Sequence, residues 1–282
     1  MKPVILIQTD FSLSWSAVAQ MKGVMKQVDP ELEIVDLCHD IKTFDPWEAS
    51  LSLQATEPYW PKGTIFVSVV DPGVGTARRA CAARLKDGMI IITPDNGSLT
   101  HLLHSVGVEQ VREIDESINR YPAKEQVSVF HGRDLFGYCA ARLAAGVISF
   151  EEVGPEYPVS EIVECEEYRI EPVVRNHYAQ GFILTGVKHF GGISLNVTNQ
   201  DFQNTAISYG DNAEVTITYQ GRTCFHQTMP FVHSFGEVPK GAALLYEGSS
   251  GYLSIDLNQG NFMEEYGIGC GKEWTVTIQK GE

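Results

Sequence analysis

The sequence predicts an α/β fold in two parts. A largely parallel α/β sheet domain over residues 1–163 is followed by a smaller, mostly antiparallel, β-barrel-like domain over residues 169–282. Three observations carry this. The chain has 282 residues, enough for about two domains with a sizeable core in each. Up to about Gly154, short apolar runs alternate with polar loops and stretches of helical periodicity, the texture of strands joined by crossover helices. After Val163 that texture gives way to strand-like alternation broken by glycine-rich turns.

Residues 4–7 read as a first strand, ending at Gln8-Thr9-Asp10-Phe11. Ser12, Ser14 and Ser16 offer helix caps, and Val18, Met21, Val24, Met25 and Val28 recur at helical spacing, so a helix runs to about Val28. Residues 33–37 form a second strand, ending in Cys38-His39-Asp40. Residues 46–56 read as a helix, with Pro46 suited to its first turn. Residues 64–70 make a buried third strand, and residues 80–85 and 89–93 two more, joined by the Lys86-Asp87-Gly88 hairpin signal. Pro94-Asp95-Asn96-Gly97 turns into a helix from about Ser98. A strand over 128–131 ends in His131, Gly132 allows a sharp turn, and a long helix covers 134–145. Second-domain strands are predicted at 181–187, 213–219, 241–246, 252–257 and 273–278.

Composition excludes some functions. Apolar content of 43% and charged content of 20% are ordinary for a soluble protein. A net charge of −15, with a pI near 4.9, argues against a nucleic-acid partner, which needs a basic face. It is compatible with a cationic substrate. The six cysteines (Cys38, Cys81, Cys139, Cys165, Cys224 and Cys270) show no CxxC pair and no zinc-like spacing. With no signal peptide after Met1 and no apolar run of membrane-spanning length, the expectation is a cytoplasmic protein with reduced thiols and no membrane partner.

Asp10, His39, Asp71 and Asp95 all fall just past the carboxyl ends of predicted strands, where open α/β sheets place their ligands. The densest stretch is Val69 to Arg79, where a strand runs straight into a carboxylate, a proline, two glycines and two arginines. Asp71 and Arg78, seven positions apart on such a loop, can turn back towards each other, as a structural ion pair or as part of a site. His131 falls at the same sheet edge and is either a partner for Asp134 or a third member of that group. Together Asp71, Arg78 and His131 make an acid, a fixed cation and a base able to converge on one water. A metal site built on Asp10, His39, Asp71 and His131 is the competing reading. Gly267 to Lys272 fails as a phosphate loop and reads as a turn, and His101 with His104 reads as a surface pair.

Several motifs occur in order: Thr9-Asp10-Phe11, Met21-Lys22-Gly23, Val35 to His39, VVDPGVGTARR over 69–79, Pro94-Asp95-Asn96-Gly97, and Phe130-His131-Gly132-Arg133-Asp134. Together they resemble the S-adenosyl-L-methionine hydroxide adenosyltransferases, relatives of the fluorinase and chlorinase enzymes. Ser249-Ser250-Gly251-Tyr252-Leu253 and Asn258-Gln259-Gly260-Asn261 are similar to that family's C-terminal domain. The resemblance implies hydrolysis of S-adenosyl-L-methionine to adenosine and L-methionine, with Asp71, Arg78 and His131 positioning and activating water. It implies that Asp10 holds the ribose hydroxyls. The same motifs place Asp95, Asn96, Phe130, Ser249 and Ser250 among the substrate-binding candidates, with Phe44 as a wall of the ribose pocket or a core residue. No cofactor and no metal is implied, S-adenosyl-L-methionine being the substrate. A homotrimer is implied, with the site between one subunit's N-terminal domain and the next subunit's C-terminal domain. The halide-using relatives lack the Asp/Arg/His set, which argues against halogenation.

Four positions depart from the family's pattern. Trp15 replaces an aspartate that meets the amino-acid part of the substrate, and Ser12 replaces a glycine. Lys188 stands where an aspartate would hold the methionine ammonium, and Gly192 where an asparagine would read adenine. Trp15 and Lys188 therefore join the substrate-binding candidates. A hydrolase of another 5′-substituted adenosine is one alternative, and a non-catalytic adenosine-binding protein is another.

Overall fold

The strand Ile5–Thr9 (β1) is buried along its whole length, because it lies inside a sheet covered on both faces. The computed structural model describes residues 2–122, 129–187 and 189–281, and the chain divides into the units Met1–Tyr168 and Arg169–Glu282. In the first unit, Ile34–Cys38 (β2) and Ile65–Val69 (β3) flank β1 in parallel, and Ile90–Pro94 (β5) continues the parallel run beyond β3. Ala80–Leu85 (β4), Val108–Glu113 (β6) and Glu156–Tyr157 (β7) join in antiparallel fashion, in the order β2-β1-β3-β5-β4-β6-β7. The sheet is thus mixed. It is parallel in the strands that lead into Asp10, His39, Asp71 and Asp95, and antiparallel where the 86–88 hairpin reverses the chain.

Alternate residues of the central strands feed two cores. Ile5, Ile7, Val67 and Val69 pack with Met21 and Met25 of the helix Ala17–Val28 (α1). Leu6 and Phe66 face the other way, onto Leu53 of Pro46–Thr56 (α2) and Leu102 of Thr100–Ser105 (α3). The helix α1 follows the predicted periodicity, although the Ser16 hydroxyl does not cap it and accepts from Gln20 Nε2 instead. Asp45 caps α2 by accepting from the Glu48 N–H, with Pro46 in the first turn. A short helix Glu116–Asn119 (α4) follows β6.

The predicted strand into His131 is not there. Val129 and Phe130 are turn and coil, Ser128 lies outside the described residues, and His131 already has helical backbone angles. The Asp134 N–H donates to the Phe130 carbonyl, and one wide π-helical turn, Gly132–Gly137, runs into the helix Tyr138–Ala144 (α5). Such a turn needs small residues against its neighbours. A Cβ on Gly132 would lie 3.1 Å from the Phe11 ring and one on Gly137 2.9 Å from Met25 Cε.

The second unit is one antiparallel sheet. Its strands are Val173–Arg175 (β8), Tyr178–Gly186 (β9), Ile193–Thr198 (β10), Asn212–Tyr219 (β11), Arg222–Pro230 (β12), Ala243–Glu247 (β13), Tyr252–Leu257 (β14) and Gly271–Lys280 (β15). They run β12-β11-β15-β9-β10-β14-β13, with β8 added to β9. A bridge between Phe231 and Leu245 links the two ends, so the sheet is nearly closed, like a barrel, around Val215, Ile217, Leu253, Ile255 and Val276.

Candidate active site

Asp71 leaves the end of β3 into a loop that folds back on itself. The Thr76 N–H and hydroxyl both donate to the Gly73 carbonyl, at 3.1 and 2.7 Å, and Gly75 takes a positive φ of 78°. A Cβ on Gly73 would meet Arg78 Cγ at 3.1 Å, so glycine there lets the arginine stem lie across the turn. Arg78 Nε consequently donates to both Asp71 oxygens, at 2.9 and 3.1 Å, and Nη2 donates to Oδ2. The same Nη2 lies 2.9 Å from His131 Nδ1. A guanidinium has no lone pair to offer, so Nδ1 must accept and the imidazole carries its proton on Nε2. Burial lowers the pKa of His131, and the Arg78 charge lowers it further, which keeps the ring neutral. Arg78 also sits over the Phe136 ring, 5.3 Å from its centroid. Its Nη1 has no hydrogen-bond partner among the described residues.

Asp10 follows β1 on the same edge. Its Oδ2 accepts from the Phe44 N–H at 2.9 Å, and its pKa is raised by burial, with the Asp71 charge adding to the effect. Phe44 is 69% exposed with φ of 64°, which rules out its reading as core. Phe130 meets Phe11 edge to face, and Phe11 meets Trp15 in the same way, at 5.9 and 6.4 Å between centroids. Trp15 is 60% exposed and its indole N–H donates to the Phe11 carbonyl. Asp134 is not the partner of His131; Arg133 grips it through Nε and Nη2 while lying over Phe130.

Two rim residues are held by the fold. His39 is buried between the Thr9 hydroxyl and Asp36, which in turn meets Lys22. Asp95 accepts from the Tyr157 hydroxyl on one oxygen and the Val163 N–H on the other, beside Arg79. Asn96 acts from behind the site: its amide donates to the Val70 carbonyl and ties the 94–97 turn to the residue before Asp71. His101 is no surface residue either. It is 1% exposed, bonded to Ser50, with Trp47 edge-on, while His104 pairs with Glu164.

The model of the SAM hydroxide adenosyltransferase N-terminal domain matches residues 5–154, and that of the C-terminal domain matches residues 186–275. The chain belongs to the SAM hydroxide adenosyltransferase family. An (R)-S-adenosyl-L-methionine hydrolase from Salinispora tropica is 31% identical to it, over 98% of each chain. A fluorinase from Nocardia brasiliensis is 29% identical over 98% of this chain and 97% of the other. The crystal structure of an uncharacterised conserved protein from Thermotoga maritima superposes with a TM-score of 0.86 at 30% identity, covering 98% of this chain and all of that one.

Within this adenosyltransferase fold the second unit has a cavity of its own, of about 640 Å³. Phe190, Gly192, Phe235, Tyr246, Asp256 and Leu257 line it. Ser249 and Ser250 do not; they sit exposed at the tip of the β13–β14 turn. Lys188 lies outside the described residues. Asp256 is the group that sequence reasoning passed over. It sits on β14 opposite to the core-facing Ile255 and Leu257, where alternation predicts a solvated side chain, yet it is buried. No local pattern marks it.

Proposed function

We propose that this family member hydrolyses S-adenosyl-L-methionine at the ribose C5′ to give adenosine and L-methionine. The observation that carries the reading is Arg78 clamped between Asp71 and His131 at the carboxyl edge of the parallel strands. The relatives named as hydrolases of that compound support it.

The sulfonium is already a good leaving group, so the protein's task is to hold a nucleophile in line with C5′. Water beside the Arg78 guanidinium is more acidic, because the cation stabilises hydroxide. His131 Nδ1 is engaged by Arg78, so the ring orients the cation and offers an Nε2–H to the attacking oxygen. Asp71 keeps lone pairs beyond those Arg78 uses and takes up the water's proton. The C5′–O bond forms, the C5′–S bond breaks, and its electron pair stays on sulfur as methionine leaves. Asp10 has one oxygen set by the Phe44 N–H, and its other oxygen serves the ribose hydroxyls. Phe44 supplies an exposed apolar wall.

Incubating the purified protein with S-adenosyl-L-methionine and separating the products by chromatography tests the reaction. Equimolar adenosine and methionine are expected, whereas no turnover of this compound or of other 5′-substituted adenosines overturns it. Trp15 places an indole where a carboxylate is usual in the family, which is the reason to run that wider panel. A metal-dependent route is disfavoured by charge, since a guanidinium already fills the space between Asp71 and His131 where a cation would bind. Among the described residues, no three or more His, Cys, Asp or Glu gather as a metal site. Turnover unchanged after treatment with a strong chelator is the expected result.

The finer reading is a cytoplasmic homotrimer. None of the six cysteines is joined in a disulfide, in keeping with a reducing compartment, and no helix among the described residues is long and apolar enough to cross a membrane. Native mass spectrometry is expected to give the mass of three 31.2 kDa chains.

A further inference from the structure

We propose that Asp256 is the residue that reads the base, its carboxylic acid donating to a ring nitrogen of adenine and accepting from the adjacent exocyclic amine. The inference rests on the adenine-bearing substrate proposed above and names a residue for it that lies outside the motifs carrying the family resemblance.

The geometry is that of an exchange across the sheet. Gly192 precedes β10, and β10 pairs with β14, which carries Asp256. A Cβ built on Gly192 would lie 2.2 Å from Asp256 Oδ2, so the carboxyl group occupies the space that a side chain at position 192 would need. The asparagine that the family resemblance puts at 192 is absent, and a planar two-heteroatom group enters the same volume from the neighbouring strand. The surroundings suit a flat heterocycle. The cavity has about 640 Å³, within the range of small-molecule sites. Phe235 and Tyr246 stand 5.1 Å apart between centroids on its wall, and Phe190 is 74% exposed beside it.

Asp256 itself is poised for a ligand. Its Oδ1 accepts from the Leu257 N–H at 2.8 Å, and no described residue donates to Oδ2. Burial pushes its pKa up to about 6. Among the described residues the titratable group that faces it is Tyr246 on β13, and no cation offsets the burial. A neutral carboxylic acid presents one donor and one acceptor side by side, as an amide does, and matches the amine and ring nitrogen of adenine. An ionised carboxylate presents acceptors only, sets its lone pairs against that ring nitrogen, and matches guanine instead. Adenine binding therefore takes up a proton above the pKa of Asp256.

Calorimetric titration of the full-length protein with adenosine and guanosine, at pH 5 and pH 8, tests this. Adenosine affinity is expected to fall about a hundredfold between these pH values, from the linkage of one proton to binding. At pH 8, runs in two buffers of different ionisation enthalpy are expected to show about one proton taken up per adenosine. Asp256→Asn, which carries a donor and an acceptor at every pH, is expected to bind with neither the slope nor the uptake, and Asp256→Ala to lose about tenfold or more at pH 5. Melting curves check that both variants are folded, and Asp256→Asn, being of the same shape, keeps the test open if the alanine variant is not.

Adenosine affinity indifferent to Asp256→Ala, a slope that persists in Asp256→Asn, or a preference for guanosine at pH 5 each overturns the assignment. Hydrolysis that proceeds while adenosine binding ignores Asp256 sinks this inference alone. A proton-linked adenosine site without hydrolysis upholds it and sinks the reaction.

Discussion

Arg78 suits its place because its donors are fixed in a plane, so gripping Asp71 through Nε and Nη2 also aims Nη2 at His131. Arg78→Lys keeps the charge and loses that geometry. Its kcat is expected to fall by about a hundredfold or more with little change in melting temperature, read from steady-state rates and a thermal melt. His131 has its pKa lowered by burial and by Arg78, so its protonated form, which repels the guanidinium, appears only at acid pH. The acid limb of kcat/KM attributable to His131 is therefore expected below the ordinary imidazole value of about 6.5, and an acid limb starting above that value would contradict the arrangement. At this scale the sequence was informative where chemistry is packed into a short motif. Asp71, Arg78 and His131 stand in two such motifs, whereas Asp256 falls between the quoted motifs, after Ser254 and Ile255, and acquires meaning only against Gly192.

The loop after β3 is the element on which the site depends. Its shape follows from chain-local requirements: a proline after Asp71, a positive φ at Gly75, and a bare Gly73 under the Arg78 stem. In Gly73→Ala the new Cβ would press on Arg78 Cγ at 3.1 Å and Thr76 Oγ1 at 3.3 Å. Activity is expected to drop by about tenfold or more while stability changes by no more than about 1 kcal/mol, measured by steady-state rates and chemical denaturation. Strands with alternating apolar residues were legible, and α2 runs over the predicted 46–56. The strands β6, β7, β8, β10 and β12 were not. β12 exposes Arg222, Thr223, Cys224 and, beyond Phe225, His226, Gln227 and Thr228 at the sheet's end, so its sequence lacks a clean apolar face. The helical turn at His131 was hidden for a different reason. A π turn depends on Phe11 and Met25, which approach Gly132 and Gly137 from distant parts of the chain.

Across the whole molecule, buried titratable groups set the pH dependence of stability. His101 is shut between Ser50 and Trp47, and burial lowers its pKa to about 4. Its folded value lies below its unfolded one, so the stability it preserves is complete above about 6.5 and is lost as pH falls towards 4, by about 3 kcal/mol. Glu57 acts in the opposite sense. Burial, with Asp87 beside it, raises it to about 7, so its contribution is full below about 4.5 and fades as pH rises through 7. Denaturant titrations between pH 4 and 7 are expected to show a flatter acid loss for His101→Gln and a steeper one for Glu57→Gln. By itself the sequence determined the two textures of the chain, the order of most elements in the first unit, and the loop that bends Arg78 back onto Asp71. These rest on side-chain periodicity and on backbone freedom, both local along the chain. Only the tertiary structure decided that His39 and Asp95 spend their polar atoms on the fold while Asp10 and Arg78 keep some free, and that Asp256 fills the space beside Gly192. The partner of a polar group is set by which strands become neighbours, and that order is not written in any single stretch.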